Sequence, residues 1–108
     1  VADRKKECIN TGGEKVFPLE VEEVIAKHAK VEDVCVIGVP DEEWGSTVRA
    51  VIQLKKGKEA ESKELLDFCR TELAGYKIPR SVLFVDELPR SPVGKMLREQ
   101  VREVYGEP

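Results

Sequence analysis

The run Val34-Cys35-Val36-Ile37-Gly38-Val39 constrains this chain more than any other stretch, because none of its residues has a polar side chain. Successive side chains of a strand point to opposite faces, so a half-solvated strand would place a polar residue at every second position. Here both faces are apolar, which predicts a central strand covered on both sides. Pro40 is expected to stop it, since proline has no N–H to give to a ladder. A strand of this kind needs amphipathic partners above and below, and the flanking sequence supplies them.

On the N-terminal side, Pro18 opens a helix at the position where its missing N–H matters least. Val21, Val24, Ile25, His28 and Ala29 repeat at the spacing of one buried helical face. Glu20, Glu22 and Glu23 fall in the first turns, where the helix dipole favours negative charge. Earlier still, Glu7–Asn10 and Lys15–Phe17 read as two short strands joined by Thr11-Gly12-Gly13-Glu14, the paired glycines accepting positive φ. A hairpin of this size is marginal alone, so it is expected to lean on another element.

On the C-terminal side, a loop through Trp44 and Gly45 leads to a second strand, Thr47–Leu54, rich in β-branched residues. After a polar turn, Ser62 is a candidate N-cap for a helix that turns Leu65, Leu66, Phe68, Cys69 and Leu73 inward and stops at Gly75. Ser81–Val85 is a third strand. Leu97, Val101, Val104 and Tyr105 mark a short final helix. The predicted class is α+β: a small, mostly antiparallel three-stranded sheet with helices packed on it, plus an N-terminal β-hairpin. No internal repeat or low-complexity tract interrupts the order.

The 108 residues suit one domain, 1–108, able to bury roughly two-thirds of its unfolded surface. A net charge of −3 gives no global support for nucleic-acid binding. The local basic clusters Arg4-Lys5-Lys6 and Lys55-Lys56-Gly57-Lys58 read first as solvated surface. No run approaches the ~18 apolar residues of a membrane span, and Val1 does not begin a signal peptide. Cys8, Cys35 and Cys69 are odd in number and widely spaced, and the single His28 follows no ligand pattern, so no metal site is expected. Free thiols of this kind suit a reducing cytoplasm.

Two segments could carry chemistry. The first is the Gly12-Gly13 turn, an ordinary hairpin turn on the bland reading. On the functional reading, the bare backbone at Gly13 admits a ligand. The second is Leu88-Pro89-Arg90-Ser91-Pro92-Val93-Gly94-Lys95. A surface lysine is usually only solvated, but two prolines and a glycine restrain this loop, so Lys95 loses less entropy on entering a site. A rigidly presented ammonium suits phosphate or carboxylate chemistry.

Taken together, Asp3-Arg4-Lys5-Lys6-Glu7, Gly12-Gly13-Glu14-Lys15-Val16-Phe17-Pro18-Leu19-Glu20-Val21-Glu22, Val36-Ile37-Gly38-Val39-Pro40-Asp41 and Leu88–Lys95 resemble the adenylate-forming superfamily. The likeness is collinear over essentially the whole chain. Pro92-Val93-Gly94-Lys95-Met96-Leu97-Arg98 is similar to the ending of its acyl-CoA synthetase branch, the AMP-dependent fatty-acid–CoA ligases.

That resemblance implies the C-terminal lid domain of a two-domain ligase acting on ATP, Mg²⁺, CoA and a carboxylic acid of the fatty class. The lid would close on a large N-terminal domain in two orientations, one for acyl-adenylate formation and one for thioester formation. The resemblance gives Lys95 the catalytic role in the first. Lys6, within the hinge segment 1–6, would swing the domain. Arg4 and Lys15 would contact the nucleotide, while Gly12, Gly13 and Arg70 would serve CoA. Asn10 stands where luciferases carry a second functional lysine, which argues against a light-emitting step. A chain beginning at the hinge lacks the ATP and acyl pockets, so it is expected to be a piece of the enzyme and inactive alone. Two alternatives stay open: an adenylation domain serving a carrier protein, and a noncatalytic α+β module.

Overall fold

The structure is a computed structural model that describes residues 8–107. Its elements run β1 (Ile9–Thr11), β2 (Glu14–Val16), α1 (Pro18–Ala26), β3 (Val31–Asp41), β4 (Gly45–Leu54), α2 (Ser62–Arg70), β5 (Ser81–Val85) and α3 (Arg98–Tyr105). The class is α+β, as the sequence predicts. β1 and β2 form an antiparallel hairpin, while β3, β4 and β5 form a sheet in that order.

The sheet is mixed and not wholly antiparallel: β3 pairs antiparallel to β4, but β5 runs parallel to it. Residues 55–80 carry the chain back across one face through α2, the crossover that a parallel pair requires.

The apolar run lies in β3, and both of its faces are covered. On one face, Val34 and Val36 join Val48, Ala50 and Ile52 of β4 beneath α1 and α2, through Val21, Ile25, Leu65 and Cys69. On the other, Cys35, Ile37 and Val39 meet Val51, Leu88 and Val101. The expectation of a central strand is nevertheless wrong. β4 is central and β3 is an edge, because only one side of β3 carries a strand. Pro40 does not stop it either; β3 continues to Asp41, and Pro40 sits opposite Ser46 near the end of the ladder.

A buried edge strand must still satisfy its outer backbone groups. Side chains do so here. Asp33 Oδ1 accepts the Val34 N–H at 2.9 Å and Glu22 Oε2 accepts the Val36 N–H at 2.7 Å. Arg98 Nη1 donates to the Val36 carbonyl at 2.8 Å and pairs with Glu22. Helices α1 and α3 thus close over the open edge from opposite faces.

The N-terminal hairpin does lean on this body. Ile9 and Val16 belong to the first core cluster, and the Gly12 N–H donates to the Trp44 carbonyl at 2.9 Å. Gly38 makes room for it, since a Cβ there would come within 3.2 Å of the Ile9 side chain.

Several local expectations shift. Ser62 is the first helical residue and Glu61 the cap, with no side-chain cap bond. Helix α2 ends at Arg70, before Leu73, and Gly75 instead begins a 3₁₀ turn, Gly75–Lys77. Ala29 falls beyond α1 and is exposed. Val104 is 65% exposed, so α3 buries its middle through Val101. Cys35 and Cys69 are free and buried, which pushes their thiols up to about 12 and about 11. At neutral pH they are inert packing groups.

Candidate functional site

The Lys95 segment is a small hairpin. The Ser91 N–H donates to the Lys95 carbonyl at 2.8 Å, and the Gly94 N–H donates to the Ser91 carbonyl at 2.8 Å. Gly94 has φ +85°, so Pro92-Val93-Gly94 is a three-residue loop whose last position favours glycine. Ser91 Oγ also accepts the Lys95 N–H at 3.1 Å, and Arg90 bridges Met96. The base is fastened to the sheet: Leu88 is buried and its N–H donates to Gln53 Oε1 at 3.1 Å. Lys95 is exposed, and its ammonium has no ion-pair or hydrogen-bond partner among the described residues. A fixed backbone thus carries an ammonium that no described residue neutralises.

The glycine turn is built differently. Gly12 has φ +59° and Gly13 φ +89°. A Cβ at Gly12 would overlap the Trp44 indole, whereas one at Gly13 would meet nothing within 4 Å. Gly12 therefore serves packing as well as the turn, and the space over Gly13 is open. Beside the turn runs a groove of about 360 Å³, lined among others by Gly12, Trp44, Tyr76, Ile78 and Arg80. The Arg80 guanidinium stacks 4.6 Å from the Trp44 ring centroid, and Tyr76 is 46% exposed. Two accessible aromatic rings and a cation in one groove can hold a flat base with its phosphates. Trp44, Tyr76 and Arg80 escaped sequence reasoning because Trp44 lies in the β3–β4 turn and the other two in the distant α2–β5 connection. An exposed aromatic residue on each loop was the available signal.

The remaining candidates are dispersed. Lys15 lies exposed on β2. Arg70 is on the exposed side of α2, paired with Asp67, whose carboxyl the Lys63 hydrogen bond and then Arg70 hold below its ordinary range. Arg70 is not among the residues lining the groove. Arg4 and Lys6 lie outside the described residues.

The Lys95 hairpin and the glycine turn are not brought together. The first is tied to Asp33 and Gln53, which are paired at one end of the β3–β4 ribbon. The second touches Trp44 in the turn at the other end, past Asp41. Asp33 and Asp41 are eight residues apart, roughly 26 Å at strand rise. The two segments also pack on opposite faces, Ile9 with the first core cluster and Leu88 with the second. No cluster of acidic, cysteine or histidine side chains fit to hold a metal occurs among the described residues. No helix there is long and apolar enough to cross a membrane.

A family model described as the AMP-binding enzyme C-terminal domain matches residues 20–95. The chain is 46% identical over 103 residues to a long-chain-fatty-acid–CoA ligase of Bacillus subtilis (strain 168), covering 95% of this chain and 18% of the relative. It is 42% identical over 104 residues to a 2-succinylbenzoate–CoA ligase of Geobacillus sp. (strain WCH70), covering 96% and 21%. Among solved structures it superposes on ATP-bound MatB from Rhodopseudomonas palustris with a TM-score of 0.87 and 37% identity, over 94% of this chain and 20% of the other. The chain spans about one fifth of the length of the curated relatives it matches.

Proposed function

The chain belongs to the AMP-binding enzyme C-terminal domain family, and from that premise we propose that it is the closing domain of an AMP-forming acid–CoA ligase. Its substrates are a carboxylic acid of the fatty class, ATP·Mg²⁺ and CoA, and its partner is the large N-terminal domain of the same enzyme. In the first step a carboxylate oxygen attacks the α-phosphorus, the α–β bridging P–O bond breaks, and pyrophosphate leaves. In the second, the CoA thiolate attacks the acyl carbon and AMP departs with the C–O bond electrons. The free thiols fit a reducing cytoplasm.

The observation that carries this reading is the Lys95 ammonium, without a partner among the described residues, on its braced hairpin at the last position of the family match. Delivered to the reacting phosphate, its charge offsets the negative charge growing on the α-phosphate oxygens. The open backbone at Gly13 supports a second task, admission of the CoA arm in the thioester orientation. Arg80 is the cation we assign to the CoA nucleotide, in preference to Arg70, because Arg80 lines the groove beside Gly12. Lys15, in the same hairpin, is assigned to the AMP phosphate, and Arg4 to the nucleotide across the hinge at Lys6. The separation of the Lys95 and Gly13 segments favours two orientations, since one pose could not present both to a single site.

The test separates the two steps in the full-length ligase. Lys95→Ala should slow pyrophosphate release about 10²–10³-fold while still converting a supplied acyl-adenylate to thioester. Gly13→Leu should do the reverse. Equal loss of both steps in either variant would overturn the division of labour.

A further inference from the structure

We propose that Asp33 and Arg90 form a strut that positions Lys95 for adenylate formation, an inference that rests on the catalytic reading of Lys95 above. The Arg90 guanidinium holds Asp33 through both ends of the fork, Nε to Oδ2 at 2.8 Å and Nη2 to Oδ1 at 2.6 Å. Its remaining arm, Nη1, donates to the Gly94 carbonyl at 2.6 Å. Gly94 directly precedes Lys95, so one planar group ties the peptide entering Lys95 to an edge strand of the sheet.

Both anchors of the strut are fixed. Asp33 lies in β3, its side chain only 19% exposed, and its Oδ1 also accepts the Val34 N–H at 2.9 Å. Arg90 is held from the other side by its bridge to Met96, whose side chain packs on the second core cluster. An exposed ion pair would ordinarily contribute little. Here the geometry is bidentate with a third bond to the hairpin backbone, a task that a lysine's point charge cannot reproduce. The ring Asp33–Arg90–Gly94 closes over a hairpin whose own hydrogen bonds fix its shape but not its tilt against the sheet. Tilt is what sets where the Lys95 ammonium arrives when the domain closes. Arg90 therefore acts through Lys95 and touches no reacting atom.

The experiment uses the full-length ligase with the fatty acid it turns over fastest from a series running from acetate to palmitate. Arg90→Ala should lower kcat for pyrophosphate release about 10–100-fold, the loss expected of a misplaced catalytic group. KM for ATP and the thioester step from supplied acyl-adenylate should stay as they were. Arg90→Lys and Asp33→Asn should fall between. The Arg90→Ala/Lys95→Ala double variant should be no slower than Lys95→Ala alone, because a strut without its cargo has nothing to position. A double variant slower by the full Arg90→Ala factor would overturn the proposal, as would an Arg90→Ala that slows both steps alike. If Lys95→Ala abolishes pyrophosphate release and Arg90→Ala leaves it intact, the strut alone is refuted. If Lys95→Ala itself leaves that release intact, the catalytic reading falls and the strut with it.

Discussion

Gly12 and Gly13 are neighbours in the chain, yet each is glycine for a different reason. Both have positive φ, where any Cβ is strained by about 1 kcal/mol or more. Gly12 adds a second constraint, the Trp44 ring lying where its Cβ would go. Gly12→Ala should therefore cost about 2–3 kcal/mol, through backbone strain plus overpacking, and Gly13→Ala only about 1 kcal/mol. Urea unfolding of the two variants checks this, and equal midpoints would show that Trp44 simply moves aside. The turn was legible in the sequence because glycine pairs announce positive φ. The contact that separates the two residues was not, since Trp44 lies 32 positions beyond Gly12 in the chain.

At the level of elements, the burial of β3 depends on two helices that the sequence showed only as amphipathic segments. Glu22 on α1 and Arg98 on α3 meet at the Val36 peptide, with side chains 13% and 17% exposed. Removing one member leaves a charge facing low-dielectric surroundings and a backbone group without its partner. Arg98→Met should destabilise the domain by about 3 kcal/mol. Glu22→Gln should cost less, because its amide oxygen still accepts the Val36 N–H. The Glu22→Gln/Arg98→Met pair should lose less than the two single losses added together. Strict additivity in the melting or urea data would mean that the two groups act independently. The apolar run reported correctly that both faces are covered. It could not report that β3 is an edge, because Glu22 and Arg98, which satisfy the Val36 backbone groups, lie 14 and 62 positions away.

At the level of the whole molecule, the Lys95 hairpin and the glycine turn occupy opposite faces and opposite ends of one rigid ribbon. On the proposed reading, such a body serves two chemical steps by rotating and leaves the substrates of both to the large domain. The 108-residue chain alone should therefore release no pyrophosphate from ATP and any of the acids from acetate to palmitate. Measurable release would mean that a complete adenylating site lies within the chain. Mixing with the large N-terminal domain, expressed separately, should restore part of the activity if the two parts find each other.

Local chemistry along the chain determined a great deal here. Sequence patterns marked the described α-helices and β-strands, β5 to the residue, but not the 3₁₀ turn at Gly75–Lys77. Restraint by Pro92 and Gly94 marked Lys95, and the collinear motifs marked the family. Three things were decided only by tertiary structure. They are the place of β3 at the sheet edge, the parallel course of β5, and the groove formed by Trp44, Tyr76 and Arg80. Each depends on where the return of the chain places distant residues. Side-chain period reports which faces are buried, but not which neighbour buries them or which backbone groups remain to be satisfied.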